Sequence, residues 1–143
     1  MNGLVVDASV AIKWFIDEPD SPAAVAVLRH PISAPDLLAP DCANILWKKV
    51  GRGELRADEA EAIALALEGA GITLHSTRPY LATATRIACD LGRAAYDCFY
   101  LALAENLRQP LVTADRRLVN AIRADRAKRF AQLVVPLSGF GVK

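Results

Sequence analysis

The sequence of 143 residues contains no long apolar run, and this absence argues against a membrane-spanning protein. Its apolar runs, such as residues 4–6 and 99–104, are far shorter than the roughly 20 residues that a membrane helix needs. The chain starts with neither a basic segment nor a long apolar segment before a small-residue cleavage site, so no signal peptide is indicated. We therefore expect a cytoplasmic protein that does not enter a membrane.

Cysteine and histidine are also scarce, and their spacing does not suit zinc. The three cysteines, Cys42, Cys89 and Cys98, show no C-x-x-C spacing and lie among apolar residues, which predicts small buried side chains. The two histidines, His30 and His75, have no Cys or His at ligand spacing. We expect both histidines at the surface or at a strand edge, and neither disulfides nor a zinc site.

Size and composition favour one domain. With 53% apolar and 23% charged residues, the sequence is typical of neither disordered nor fibrous proteins. A chain of 143 residues buries roughly 68–70% of its unfolded surface, so it needs no disulfide or structural metal for stability. We expect a single domain over residues 1–143.

Positive charge is unevenly distributed along the chain, although the net charge is only +1. One basic group follows a helical pattern and contains Lys48, Lys49, Arg52 and Arg56. A second group lies between residues 115 and 130 and contains Arg116, Arg117, Arg123, Arg126, Lys128 and Arg129. Each group alone is typical of a solvated face. Phosphate binding becomes the better interpretation only if both groups flank a cleft that carries chemistry.

Short apolar runs alternate with helical patterns along the chain. The predicted strands are residues 4–6, 32–34, 72–75, 110–113 and 133–135. The predicted helices are a helical pattern over residues 10–15, then residues 22–28 with Ser21 as the N-cap, and residues 40–50, 57–68, 79–91, 95–107 and 116–123. This alternation predicts an α/β domain with a mostly parallel sheet and helices on both of its faces.

Four aspartates are predicted to meet at one edge of this sheet, where parallel sheets bind ligands. Asp7 and Asp115 each follow a strand, Asp41 stands at the start of a helix, and Asp97 lies in the first turn of an apolar helix. Each of the first three has a structural explanation, since Asp41 and Asp115 suit helix N-caps and Asp7 suits a strand-to-helix turn. Asp97 is harder to explain, because a carboxylate entering an apolar helix needs a partner.

A cluster of aspartates without histidine or cysteine selects a hard cation, Mg²⁺ or Mn²⁺. Such an ion supports metal-assisted cleavage of a phosphodiester bond. Because close carboxylates repel each other, the ion-free cluster is expected to have raised pKa values. On this argument, neutralising Asp7 or Asp97 leaves the ion-free protein at least as stable as the parent.

Four segments together resemble a known family. They read VVDASVAIKW at residues 5–14, ANILWKK at 43–49, AYDCFYLALA at 95–104 and LVTADR at 111–116. In this order, and over nearly the whole chain, they resemble the successive motifs of PIN-domain proteins, specifically VapC-type ribonuclease toxins. The resemblance implies a three-layer α/β/α fold, endoribonuclease activity that depends on Mg²⁺ or Mn²⁺, a homodimer, and a cognate antitoxin that blocks the site.

The resemblance also assigns roles to individual residues. The family's acidic positions, which would hold the metal, fall on Asp7, Asp97 and Asp115. Its supporting hydroxyls fall on Ser9 and Thr113. We interpret two basic pairs as contacts for the RNA backbone on either side of the carboxylates, namely Lys48 with Lys49 and Arg116 with Arg117.

The fourth acidic position departs from the family pattern. The family usually has glutamate just before the Ala-Asn-x-Leu-Trp run, whereas this chain has Asp41 there, one methylene shorter. A water molecule or a small helix shift would give Asp41 the reach to contact a metal. Asp36 is the rival acid nearby, although its place between Pro35 and Leu37 is typical of a turn residue.

Three other kinds of protein share some of these features. A phosphoacceptor receiver domain needs an acidic pair at the first strand and a lysine after the last, whereas here Asp7 stands alone and no lysine directly follows the last strand. A haloacid-dehalogenase-type phosphatase needs Asp-x-Asp, whereas this chain has Asp7-Ala8-Ser9. A PIN-like module that binds RNA or a protein without cleaving fits better, because Asp41 replaces the usual glutamate. The sequence does not identify the RNA target.

Overall fold

The computed structural model of the protein describes residues 3–140. Its strands are β1 (Leu4–Val6), β2 (Ile32–Pro35), β3 (Ile72–His75), β4 (Leu111–Thr113) and β5 (Val134–Pro136). Its α-helices are α1 (Ala8–Ala11), α2 (Ser21–Val27), α3 (Leu38–Gly51), α4 (Ala57–Glu68), α5 (Leu81–Leu91), α6 (Ala95–Leu107) and α7 (Arg116–Ala124). Short 3₁₀ turns cover Ile12–Trp14, Arg78–Tyr80 and Leu137–Gly139.

The five strands form one sheet in the order β3-β2-β1-β4-β5, and every pairing is parallel. In register, Leu4 of β1 lies opposite Ile32 of β2, and Val5 lies opposite Leu111 of β4. From β1 the chain moves outward to β2 and β3, then returns to the other side of β1 as β4. The boundary between β1 and β4 is therefore a topological switch point, where an open α/β sheet binds ligands.

Helices cover both faces of the sheet, as the side chains of β1 show. Val5 belongs to an apolar cluster that includes Leu101 of α6, whereas Leu4 and Val6 belong to a second cluster that includes Val27 of α2. All three β1 residues are buried. Such apolar strands are typical of a parallel sheet with both faces covered. The predicted α/β/α fold is confirmed.

Helix α6 explains how one aspartate reaches the edge of the sheet. Residues 98 and 100–104 of α6 are buried, so the helix is anchored in the core almost along its whole length. Gly92 ends α5 with a left-handed backbone, φ +68°, which glycine adopts without steric cost. The chain then turns at once into α6. This tight turn places Arg93 just before the helix and Asp97 in its first turn.

Two predicted helix starts are wrong by one or two residues. Helix α3 begins at Leu38 and not at residue 40, so Asp41 lies inside the first turn and is not the N-cap. Helix α2 has Asp20 at the N-cap position, while Ser21 is its first residue. The Ser21 hydroxyl instead donates to the carbonyl of Ile16 at 2.8 Å. This hydrogen bond fixes the loop before α2.

The expectation for the cysteines holds for two of the three. Cys42 and Cys98 are buried, whereas Cys89 is exposed, because it lies on the outer side of α5. Burial raises the pKa of the Cys42 thiol to about 12 and that of Cys98 to about 11, so both stay protonated. His75 lies in an outer strand of the sheet, and its Nε2 is 3.2 Å from the Ser33 hydroxyl of the neighbouring strand.

Within residues 3–140, no helix combines the length and the apolar character that crossing a membrane requires.

Candidate active site

A cavity of about 560 Å³ opens at the carboxyl edge of the sheet, next to the switch point. We call it the carboxylate cavity, because all four predicted acids line it: Asp7, Asp41, Asp97 and Asp115. Two of these acids follow β1 and β4, one comes from α3 and one from α6. The structure thus brings together the four acids that lie far apart in the sequence.

Asp7 is held by two hydroxyl groups. Ser9 donates to Asp7 Oδ1 at 2.5 Å, and Thr113 donates to Asp7 Oδ2. Both hydroxyl oxygens also accept a backbone N–H, since Ala114 donates to Ser9 at 2.9 Å and Asp115 donates to Thr113 at 3.0 Å. The backbone at the end of β4 therefore aims both hydroxyl protons at the Asp7 carboxylate.

Burial dominates the electrostatics of Asp7. It raises the pKa of this carboxyl from 3.8 to about 6. The hydrogen bonds from Ser9 and Thr113 lower that pKa, while the charges of Asp97 and Asp115 raise it further. The predicted repulsion between carboxylates therefore contributes to the raised pKa of Asp7, but it is a smaller cause than burial.

Asp41 has one hydroxyl partner, on a different element. Tyr100 of α6 donates to Asp41 Oδ2 at 2.7 Å. Burial raises the pKa of Asp41, the Tyr100 hydrogen bond lowers it, and the charge of Asp97 raises it. Asp41 is thus not an N-cap but an inward-facing acid of the cavity. Asp36, its rival, is an exposed turn residue whose N–H donates to the carbonyl of His75 at 2.7 Å, and it does not line the cavity.

Asp97 has a cationic partner that the sequence argument did not identify. Arg93 donates to Asp97 Oδ2 twice, from Nη2 at 2.6 Å and from Nε at 3.2 Å. The two residues are four positions apart in the sequence, with Arg93 just before α6 and Asp97 in its first turn. Asp97 therefore differs from Asp7, because a neighbouring guanidinium balances its charge.

Asp115 has two roles, one for each carboxylate oxygen. Its Oδ1 accepts the backbone N–H groups of Arg117 at 2.9 Å and Leu118 at 3.4 Å, so it is the predicted N-cap of α7. Its Oδ2 lies 3.8 Å from Arg93 Nη2. One oxygen thus starts the helix while the other faces the cluster.

The donor atoms suit a divalent cation, although they do not form a finished ligand set. Among residues 3–140, no three His, Cys, Asp or Glu side chains lie in position to hold one ion as they stand. Arg93 contacts Asp97 and approaches Asp115, while the Asp7 carboxylate accepts hydrogen bonds from Ser9 and Thr113. The described lining of the cavity offers carboxylate and hydroxyl oxygens and no histidine or cysteine, and such donors fit Mg²⁺ or Mn²⁺.

The first basic pair is divided between two roles. Lys48 lines the carboxylate cavity. Lys49 does not, and its side chain is only 11% exposed because it forms ion pairs with Glu54 at 3.2 Å and Glu18 at 3.7 Å. Its charge is already balanced by these two glutamates, so Lys49 is less available than Lys48 for the predicted contact with a phosphate.

The second basic pair lies outside the carboxylate cavity. Arg116 lines a separate polar cavity of about 370 Å³, together with Arg123. Arg117 is exposed, and its carbonyl accepts a hydrogen bond from Arg93 Nη1 at 3.4 Å. The structure therefore places both arginines on the first turn of α7, beside the site and not in it.

Two members of the site were missed in the sequence, and both carry a spacing signal. Arg93 precedes Asp97 by four residues and lies just before α6, while Tyr100 follows Asp97 by three residues on the same helix and lines the cavity with it. A search for partners of Asp97 at helical spacing identifies Arg93. No local pattern indicates that Tyr100 reaches Asp41, because their contact joins α6 to α3.

Known proteins resemble this chain in both sequence and fold. The PIN domain family matches residues 4–124. Ribonuclease VapC3 of Pyrobaculum aerophilum is 35% identical over 137 residues, which cover 93% of this chain and 98% of that protein. The chain belongs to the PIN-domain family.

A solved structure agrees with this assignment at the level of the fold. The crystal structure of PAE2754 from Pyrobaculum aerophilum matches with a TM-score of 0.69 at 22% identity, and the match covers 96% of this chain and 90% of that chain. The resemblance that the four sequence motifs indicated is confirmed.

Proposed function

We propose that this protein is a VapC-type endoribonuclease, the toxin of a toxin–antitoxin pair, and that it cleaves RNA phosphodiester bonds in the carboxylate cavity. One observation carries the proposal: four acids from β1, α3, α6 and β4 line one cavity at the switch point of the sheet. The identity to Ribonuclease VapC3 supports a ribonuclease activity. A non-cleaving PIN-like module is not favoured, because it has no need for acids that raise each other's pKa.

Three of the acids would hold Mg²⁺ or Mn²⁺: Asp7, Asp97 and Asp115. A bound divalent cation polarises a phosphodiester group and lowers the pKa of a water molecule. Ser9 and Thr113 keep the Asp7 carboxylate turned to one orientation, which reduces the reorganisation that ion binding requires. Above about pH 6 Asp7 is ionised and ready for a cation.

Asp41 is the acid that we assign to proton transfer. Its Oδ2 is held by Tyr100, so Oδ1 is the oxygen left to accept a proton from an attacking water molecule. Its raised pKa makes it a better base than an ordinary exposed aspartate. Asp97, Asp7 and Asp115 would then serve as cation ligands and not as bases.

Lys48 is the basic residue that we assign to the RNA backbone. It lines both the carboxylate cavity and an adjoining cavity of about 330 Å³, which also contains Arg52. An acidic cavity repels RNA, so a phosphate on the flanking nucleotide needs positive charge nearby. Arg116 and Arg117 remain a predicted second contact, on the far side of Asp115.

The remaining proposals rest on membership of the family. We expect a cognate antitoxin protein and a homodimer in the cytoplasm, with residues 1–143 forming one domain. A short open reading frame for a DNA-binding protein directly upstream would support the antitoxin. Light scattering of the purified protein measures the homodimer, and a monomeric mass would contradict it.

Cleavage of a structured RNA tests the activity. We expect products with Mg²⁺ or Mn²⁺, none with EDTA, and none from Asp97→Asn under either condition. Asp36→Asn is a matched control, since it removes an exposed carboxylate outside the cavity. Cleavage that persists in EDTA, or in Asp97→Asn, would contradict the proposed function.

A further inference from the structure

The guanidinium of Arg93 lies among three negatively polarised groups of the site. Its Nη2 is 2.6 Å from Asp97 Oδ2 and 3.8 Å from Asp115 Oδ2. Its Nη1 donates to the carbonyl of Arg117 at 3.4 Å. One cation thus joins the start of α6 to the start of α7, between two of the acids assigned to the metal.

This ion pair differs from an ordinary surface pair of the same spacing. Arg86 and Asp90 are also four residues apart, but their side chains are 77% and 49% exposed. The Arg93 and Asp97 side chains are only 21% and 31% exposed. Water screens the first pair strongly and the second pair less, so the charge of Arg93 acts on the cavity.

Arg93 faces the Asp115 oxygen that is left for a cation and one of the two oxygens of Asp97. Asp115 Oδ1 is committed to the N-cap of α7, which leaves Oδ2 as its oxygen for an ion. Asp97 Oδ2 already accepts two N–H groups from Arg93. When a divalent ion coordinates these two oxygens, the positive charge of Arg93 repels it. The N–H groups of Arg93 also occupy lone pairs that the ion would use.

We propose that Arg93 holds the cation position between Asp97 and Asp115 in the ion-free protein, and that it must leave both carboxylates when a divalent cation binds. The inference rests on the metal site of the proposed function. It makes Arg93 a competitor of the ion and a stabiliser of the ion-free site. Arg93 thereby sets the concentration of Mg²⁺ or Mn²⁺ at which the site fills.

Calorimetric titration with Mn²⁺ alone, without RNA, tests the competition. Arg93→Gln is expected to bind Mn²⁺ about tenfold more tightly than the parent, because a like charge a few ångströms away is removed. Arg93→Lys keeps the charge and is expected to fall between the two. Arg86→Gln removes the matched exposed arginine and is expected to bind as the parent does.

Two further measurements locate the effect. Adding Asp97→Asn to Arg93→Gln is expected to abolish the gain, which places the ion at Asp97. In the parent protein, the Arg93 Nε–H resonance is expected to shift during titration with Mg²⁺, as the guanidinium leaves Asp97. The resonance is assigned by its absence in Arg93→Lys, whose other resonances must match those of the parent, and the titration itself is then read in the parent protein.

Equal or weaker Mn²⁺ binding by Arg93→Gln overturns the inference, as does an Arg93 resonance that Mg²⁺ leaves unchanged. If the parent nevertheless cleaves RNA in Mn²⁺, the proposed function stands and only the competition fails. If neither protein binds Mn²⁺, the competition is wrong, and the RNA cleavage assay decides whether the proposed function fails with it.

Discussion

The carboxylate cavity has two sides that hold their charge in different ways. On one side, Asp7 and Asp41 accept hydrogen bonds from hydroxyl groups of serine, threonine and tyrosine. On the other side, Asp97 and Asp115 face the guanidinium of Arg93. Neutral donors orient a carboxylate without cancelling its charge, whereas a guanidinium does both.

Because of this difference, neutralising Asp7 and neutralising Asp97 have different effects on the stability of the folded protein. Burial raises the pKa of Asp7, so its negative charge costs stability in the folded protein. The expectation that Asp97 behaves alike was incomplete, because it did not include Arg93. Removing the charge of Asp97 leaves the largely buried guanidinium of Arg93 without its nearest anionic partner, and that loss is destabilising.

The largest expected effect comes from an ion that both sides share. Mg²⁺ or Mn²⁺ at about 100-fold above its dissociation constant should stabilise the folded protein by about 2.7 kcal/mol, because the unfolded chain does not hold it. Thermal unfolding with ion and with EDTA measures this gain. Asp7→Asn and Asp97→Asn should each lose it, and a full gain in Asp7→Asn would place the ion on one side only.

The second-largest expected effect is a pH dependence of stability that comes from Asp7. The pKa of Asp7 is about 6 in the folded protein against 3.8 for an ordinary aspartate, so folding favours its protonated form. Its contribution to stability is therefore complete below pH 3.8 and lost as the pH rises to about 6. In EDTA, the stability of the parent relative to Asp7→Asn should fall by about 2 kcal/mol between about pH 4 and pH 7.

Denaturant titrations at several pH values measure this difference. If the difference in free energy of unfolding between the two proteins is the same at every pH, ionising Asp7 does not cost stability in the folded protein. A hydrogen bond that asparagine forms less well than aspartate lowers the stability of Asp7→Asn by the same amount at every pH. Such a loss therefore does not change how the stability difference depends on pH.

A smaller effect isolates the Asp97 side. In EDTA, Asp97→Asn should lower the free energy of unfolding by about 1–2 kcal/mol, because it weakens a charged hydrogen bond to Arg93. Asp90→Asn breaks the matched exposed pair with Arg86 and should cost less than about 0.5 kcal/mol. Equal losses in the two variants would mean that Arg93 stabilises the site no more than a surface pair does.

The smallest expected effect is the contribution of Lys48, at the carboxylate cavity, to RNA binding. Lys48→Ala should weaken RNA binding for all sequences alike and lower the salt slope of binding by about one unit. Lys49→Ala is a matched neighbour whose charge is already paired with Glu18 and Glu54, so its salt slope should stay close to that of the parent. Binding is measured in an Asp97→Asn background, and a reversed order of the two slopes would contradict the assignment.

The architecture and the convergence of the acids could be predicted because both follow from local patterns. Short apolar runs alternating with helical periods define a parallel sheet. Residues that follow such strands, here Asp7 and Asp115, meet at one edge of it. The same reasoning predicted that Asp97 lies at this edge, since a lone carboxylate in an apolar helix has to face a partner or a cavity.

Partners that come from another element could not be predicted. The hydrogen bond from Tyr100 to Asp41 joins α6 to α3, and Lys49 is neutralised by Glu18 from a loop 31 residues earlier in the sequence. Distances between elements decide these contacts, and no sequence spacing encodes them. Cys89 was expected to be buried because its neighbours in sequence are apolar, although the outer side of α5 is open to solvent.

The most direct test asks whether the two sides of the cavity serve one reaction. RNA cleavage in Mn²⁺ is measured for Asp7→Asn, for Asp97→Asn and for the double variant. Residues that act as a unit are not additive, so each single variant should fall to the rate seen in EDTA and the double variant should fall no further. Parental cleavage by either single variant, or a double variant that loses clearly more than each single one, would contradict a shared active site.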